Sequence, residues 1–120
     1  MIKLILVLAF ILTSLLVSGC SKKTETSTPP TDLIIDFTNN TYSPNIATIK
    51  VGQTITFNNK SNQDIWPASN IHPTHGVYPQ FDPKGTIAPG QSWSFTFTKA
   101  GIWKFHDHKM PQITGEITVE

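Results

Sequence analysis

Two short stretches hold all four histidines of this chain, Ile71-His72-Pro73-Thr74-His75-Gly76 and Phe105-His106-Asp107-His108-Lys109-Met110. Neutral imidazole is a Lewis base suited to copper, zinc, iron and nickel. In a strand, side chains at i and i+2 share a face. His106 and His108 therefore project together, with Asp107 on the other side. In the other pair, Pro73 fixes one backbone dihedral, and i, i+3 spacing across a turn also brings two rings together. If the pairs converge, His72, His75, His106 and His108 form a nitrogen-only metal site. Copper(II) binds most tightly of the divalent series at a given site, so copper is the expected metal and zinc the alternative. Asp107 is expected to support the site rather than ligate, and Met110 is a candidate additional contact. Asp82, in QFDPKG, reads as a turn residue.

Sulfur chemistry is restricted by composition. Cys20 is the only cysteine. It follows Lys3, an uncharged run from Leu4 to Val17, and Ser18-Gly19. A basic start, an apolar core and small residues follow the plan of a secretory signal, and the run is short of the ~20 residues that a membrane-spanning helix needs. VSGC resembles the lipobox of bacterial lipoproteins. That resemblance implies cleavage before Cys20, lipid on its thiol, and a domain outside the cytoplasm, anchored to a cell-envelope membrane. The mature domain would then have no disulfide, no cysteine nucleophile and no thiolate ligand.

The expected organisation is a signal peptide over 1–19, the lipidated Cys20 with a flexible tether over 20–31, and one folded domain over 32–120. The tether SKKTETSTPPT is polar with adjacent prolines. Arginine is absent and the net charge is +1, so a nucleic-acid groove is not expected.

The elements that must position the histidines read as strands. No segment after residue 31 keeps helical apolar spacing for three turns, and prolines and glycines recur. Short alternating runs appear instead at 33–38, 46–51, 54–57, 64–68, 92–98, 102–106 and 116–119. About seven such strands between turn signals predict an all-β antiparallel sandwich or barrel. Trp93, Phe95 and Phe97 are expected in the core, as are Trp103 and Phe105. Trp66 and Tyr78 flank the histidine loop and could wall a site. The long stretch from Pro67 to Pro89 is of the kind that carries function or is disordered.

TYSPNIATIKVGQTITFNN resembles the opening of cupredoxins, IAPGQSWSFTFTKAGIWKFHDH resembles their second half, and ITGEITV their closing strand. The likeness covers roughly residues 33–120 and implies a cupredoxin-like Greek-key β-sandwich. Laid on the blue-copper pattern, Asp107 stands where the cysteine ligand would be, and the first ligand histidine would fall near Ala68. Blue copper requires a His₂Cys trigonal site, so that centre is dismantled. WKFHDH is similar to the Trp-Tyr-His-Ser-His segment of multicopper oxidases, and IHPTHG loosely to their Ile-His-x-His-Gly segment. That likeness carries over the ligand type and not the oxidase activity, because one domain supplies half a cluster.

The expected function is extracytoplasmic copper binding for storage, delivery or resistance, with a copper-accepting or redox protein as partner. The alternatives are electron transfer, or a small copper oxidase whose half-site is completed in an oligomer. No Gly-x-Ser-x-Gly elbow or phosphate-cradling glycine loop is present, so hydrolysis and nucleotide chemistry are unsupported.

Overall fold

Alternation of apolar and polar residues builds the domain. A computed structural model describes residues 31–120, which form eight strands: β1 (Leu33–Thr38), β2 (Thr41–Ser43), β3 (Ile46–Ile49), β4 (Thr54–Asn59), β5 (Pro67–Ser69), β6 (Ser92–Thr96), β7 (Gly101–Asp107) and β8 (Thr114–Val119). No helix occurs among the described residues. The segments expected to carry the signal, lipidation and most of the tether, residues 1–30, lie outside them.

The strands form two four-stranded sheets, ordered β2-β1-β4-β6 and β3-β8-β7-β5. The pairs β1–β4 and β3–β8 are parallel, and the remaining pairs are antiparallel. Period-two patterning turns one side of each sheet inward. Ile35 and Phe37 of β1, Ile55 and Phe57 of β4, Phe105 of β7, and Ile117 and Val119 of β8 close a common core. Burying each Phe or Ile side chain contributes roughly 1.5–3 kcal/mol.

Eight strands form where about seven were expected. The additional one, β2, follows Asn39-Asn40, whose φ angles are 50° and 57°. Positive φ at both central residues makes a two-residue hairpin turn, which asparagine tolerates, and Thr38 pairs directly with Thr41. The run expected from 46 to 51 ends at Ile49, because the chain turns at Gly52 with φ 90°. In the run at 64–68, Ile65 makes only an isolated bridge to Ile87, and pairing as a strand begins at Pro67.

The aromatic core differs in depth from the expectation. Phe97 and Phe105 are fully buried, whereas Trp93, Phe95 and Trp103 are partly buried against the core. The reason is the long connection between β5 and β6. It sends Phe81 into the core, where its ring stacks on Trp93 and Phe95 with centroids 6.1 and 5.3 Å apart. Tyr78 comes from the same connection and packs on Trp103 and Phe95, so it belongs to the core and not to the wall of a site. That stretch is an ordered, packed segment, and this allows it to hold a site.

One end of the sandwich depends on glycine. A Cβ at Gly115 would stand 2.4 Å from the Phe105 ring and 2.6 Å from Asn45 O. Only hydrogen fits, so β8 lies close against β7 beside the strand end that carries His106 and His108.

Candidate metal centre

β7 runs straight into the site. Its last residues, Phe105, His106 and Asp107, are all buried, and pairing to β5 sets Ala68 opposite His106 and Pro67 opposite Asp107. His108 follows, and its backbone N–H donates to Trp66 O at 2.7 Å. The strand geometry places Asp107 on the opposite side from its two histidine neighbours, as the alternation requires.

The other pair sits on the loop after β5. His75 N–H donates to Ile71 O at 2.7 Å, and Val77 N–H donates to Asn70 O at 2.9 Å. These bonds close the IHPTHG loop on itself. His75 takes φ 54°, a left-handed conformation in which histidine is over-represented. The turn swings its ring inward, under the loop.

The two pairs meet. One nitrogen from each of His72, His75, His106 and His108 lies within 4.8 Å of every other. His75 Nε2 is 2.9 Å from His108 Nδ1, and His72 Nδ1 is 3.3 Å from His106 Nε2. Metal–nitrogen bonds of 2.0–2.1 Å put adjacent tetrahedral or square-planar ligands about 2.8–3.4 Å apart, so these separations suit a shared ion.

Two of the rings are held in one tautomer. His75 Nδ1 lies 2.6 Å from Asp82 Oδ2. An ionised carboxylate only accepts, so Nδ1 carries the proton and Nε2 offers its lone pair to the cluster. His106 Nδ1 lies 3.1 Å from Asn70 Oδ1, and the same reasoning turns its Nε2 lone pair inward. Such outer partners orient metal-binding histidines and raise their basicity. His108 Nδ1 and His72 Nδ1 are the nitrogens that face these lone pairs.

Asp82 is more than a turn residue, which corrects the sequence expectation. It does bend the local chain, accepting from Lys84 N at 2.7 Å. It also accepts from Trp66 Nε1 at 2.8 Å and Lys84 Nζ at 3.1 Å. Burial works against its charge, but the bonds from His75, Lys84 and Trp66 outweigh it and hold the carboxyl well below the usual carboxylate range. Trp66 walls the site as expected, with its ring 4.5 Å from that of His108 and 6.2 Å from that of His75. Asn70 and Asp82 are the two supporting residues that sequence reasoning missed. Neither stands in a recognisable motif, and the Asp-Pro of QFDPKG advertises only the turn.

Asp107 has a different supporting task. Its carboxylate accepts from Tyr42 OH at 2.6 Å and Trp66 N at 2.9 Å, and from the backbone of Lys109 and Met110 at 2.9 and 3.1 Å. It ties β2, the start of β5 and the loop after β7 into one knot beneath the histidines. Burial, reinforced by the Asp107 charge, pushes the Tyr42 hydroxyl far above its ordinary range, so it stays a donor. Met110 packs against the core, and its sulfur accepts from Gln63 Nε2 at 3.6 Å. Burial lowers the pKa of His106 to about 4, helped by the neighbouring His75, His72 and His108. The same causes lower that of His108. Both are neutral, and so metal-competent, at neutral pH.

A two-sheet sandwich of this strand order is a cupredoxin-type architecture, and the imidazoles gathered at its rim could hold a metal ion. The sequence matches the cupredoxin-like domain over residues 4–119, and the chain belongs to that family. It is 30% identical over 89 residues to amicyanin of Paracoccus denitrificans, covering 73% of this chain and 65% of that protein's length. It is also similar to solved structures of amicyanin variants. A methionine-to-alanine variant in its Cu(I) form and the oxidised state of a proline-to-alanine variant are each 27% identical. Each match covers 74% of this chain and 82% of the other, with TM-scores of 0.64 and 0.65.

Proposed function

We propose that this protein is a copper-binding cupredoxin that works outside the cytoplasm, tethered by lipid on Cys20, and serves copper storage, delivery or resistance. One observation carries the copper reading: four imidazole nitrogens lie within 4.8 Å of one another, two of them fixed through Asp82 and Asn70. The donor set fits the ion, since neutral imidazole suits copper and the tightest divalent binding goes to Cu(II). His72, His75, His106 and His108 would hold it. Bound copper supplies a one-electron redox couple. The lipid anchor is supported by the VSGC segment that ends in Cys20.

Electron transfer is the second reading, favoured by the likeness to amicyanin, whose structures include reduced Cu(I) and oxidised forms. It ranks second because blue-copper sites use a thiolate. The positions that would carry that ligand and its partner histidine hold Asp107 and Ala68, both fully buried. The histidine site lies beside those positions and uses none of their side chains.

Loading the purified protein with Cu(II) and recording absorption and paramagnetic resonance tests the reading. The expected result is one copper per chain, weak visible absorption and large copper hyperfine splitting. An intense band near ~600 nm, the signature of thiolate ligation in blue copper, overturns the ligand set. Elemental analysis after expression separates copper from zinc.

A further inference from the structure

The four rings are not held alike. His75 and His106 are 4% and 3% exposed, and each is pinned at Nδ1, by Asp82 and Asn70. His108 is half-buried, with its ring against Trp66 and its backbone bonded to Trp66 O. The His72 ring packs against those of His106 and His108, with centroids 5.2 and 4.8 Å apart, but it differs in exposure and in lacking an outer partner. It is exposed, and its neighbours Ile71, Pro73 and Thr74 are exposed too. Its only side-chain hydrogen bond among the described residues is from Nδ1 to His106, so its Nε2 edge has no partner. The loop backbone beneath it is closed by the His75–Ile71 and Val77–Asn70 bonds. The His72 ring can therefore leave the cluster by side-chain rotation alone, which is fast for an exposed residue.

From this asymmetry we infer that His72 is the exchangeable ligand of the site and that the position it vacates is open to a nitrogen donor from solution. The inference rests on the metal-binding reading above. With an ion held there, exchange would break its bond to His72 and form one to the incoming nitrogen. One nitrogen ligand would replace another, so no electron moves. His75, His106 and His108 remain in place as a three-nitrogen cradle.

Two variants and one small-molecule probe test it. His72→Ala removes an exposed ring and leaves the core intact; His106→Gln replaces a buried ligand with a side chain of similar length. Each is loaded with Cu(II), titrated with free imidazole, and followed by paramagnetic resonance and by metal release to a chelator. His72→Ala is expected to keep one copper per chain, with affinity lowered by at least about ten-fold, the lower end of what loss of even an outer partner costs. Imidazole should change its spectrum in a saturable way and restore most of the lost affinity. His106→Gln is expected to lose tight uptake, with no rescue by imidazole. The inference is overturned if imidazole leaves the His72→Ala spectrum unchanged, or if that variant is as empty as His106→Gln while the wild type fills. A wild type that takes up no copper removes the underlying reading and this one with it.

Discussion

Asp82 Oδ2 stands 2.6 Å from His75 Nδ1, with both side chains 5% exposed, on the side of the ring away from the other three histidines. The carboxylate dictates which nitrogen of His75 faces the cluster. Asp82→Asn keeps the shape but replaces a charged acceptor with an amide that can present either end. Copper affinity should fall about 10- to 100-fold, the usual cost of losing an outer-shell partner. A competition titration against a chelator of known affinity measures it, and unchanged affinity would remove Asp82 from the site.

His106 is the most deeply buried of the four gathered histidines and reaches the cluster from the strand side. His106→Ala together with His108→Ala should abolish tight uptake, a larger loss than the ~100-fold expected of an outer partner. Equilibrium dialysis with Cu(II) reads this directly. A double variant that still takes up one copper with wild-type affinity would show that the strand pair does not bind it.

Asp107 supports the fold beneath the site, and its loss should appear as stability. Asp107→Ala leaves Tyr42 OH and three backbone N–H groups without their acceptor. Stranding buried donors of a charged acceptor costs about 3–5 kcal/mol in total. Tyr42→Phe removes one bond to a charged group and should cost about 1.5–3 kcal/mol. Urea unfolding of the metal-free protein distinguishes the two. Equal midpoints for Tyr42→Phe and wild type would make that bond energetically idle.

Acid should weaken the metal-free domain well before ordinary carboxylates titrate. Unfolded His106 protonates near pH 6.5, whereas in the folded protein it stays neutral down to about 4. Between these values the unfolded chain binds more protons, so stability falls as pH drops through this window and levels off below it. The loss from this residue is at most about 3 kcal/mol, and His108, shifted the same way, adds to it. Asp82, with its pKa lowered, contributes stability that is lost only at more acid pH, below the unfolded carboxylate range. Urea midpoints at pH 7 and pH 5 should therefore differ, and by less in a His106→Gln variant.

The strands and the four histidines were legible because both follow local rules. Alternation marks β1, β4 and β8, and i, i+2 spacing at the end of β7 places two rings on one face whatever the rest of the chain does. The partners of those rings were not legible. Asn70 reaches His106 across 36 positions, and Asp82 sits in a turn whose local chemistry already explains an aspartate. The depth of Trp93 and Phe95 was misjudged because Phe81 arrives from a loop with no periodic signal. The Asn39-Asn40 hairpin did carry a signal, a pair of residues tolerant of positive φ, and it accounts for the eighth strand.

The described domain has no covalent cross-link, since the sole cysteine of the chain precedes it. Two of the gathered rings hang from the loop after β5 and two from the end of β7, so an ion between them would staple together points 33 and 34 positions apart, a closure that restricts the unfolded chain much as a disulfide does. The rim of the sandwich would then tighten when copper is plentiful and loosen when it is scarce. Susceptibility of the 71–77 loop to a protease would record the metal supply of the compartment in which the protein resides.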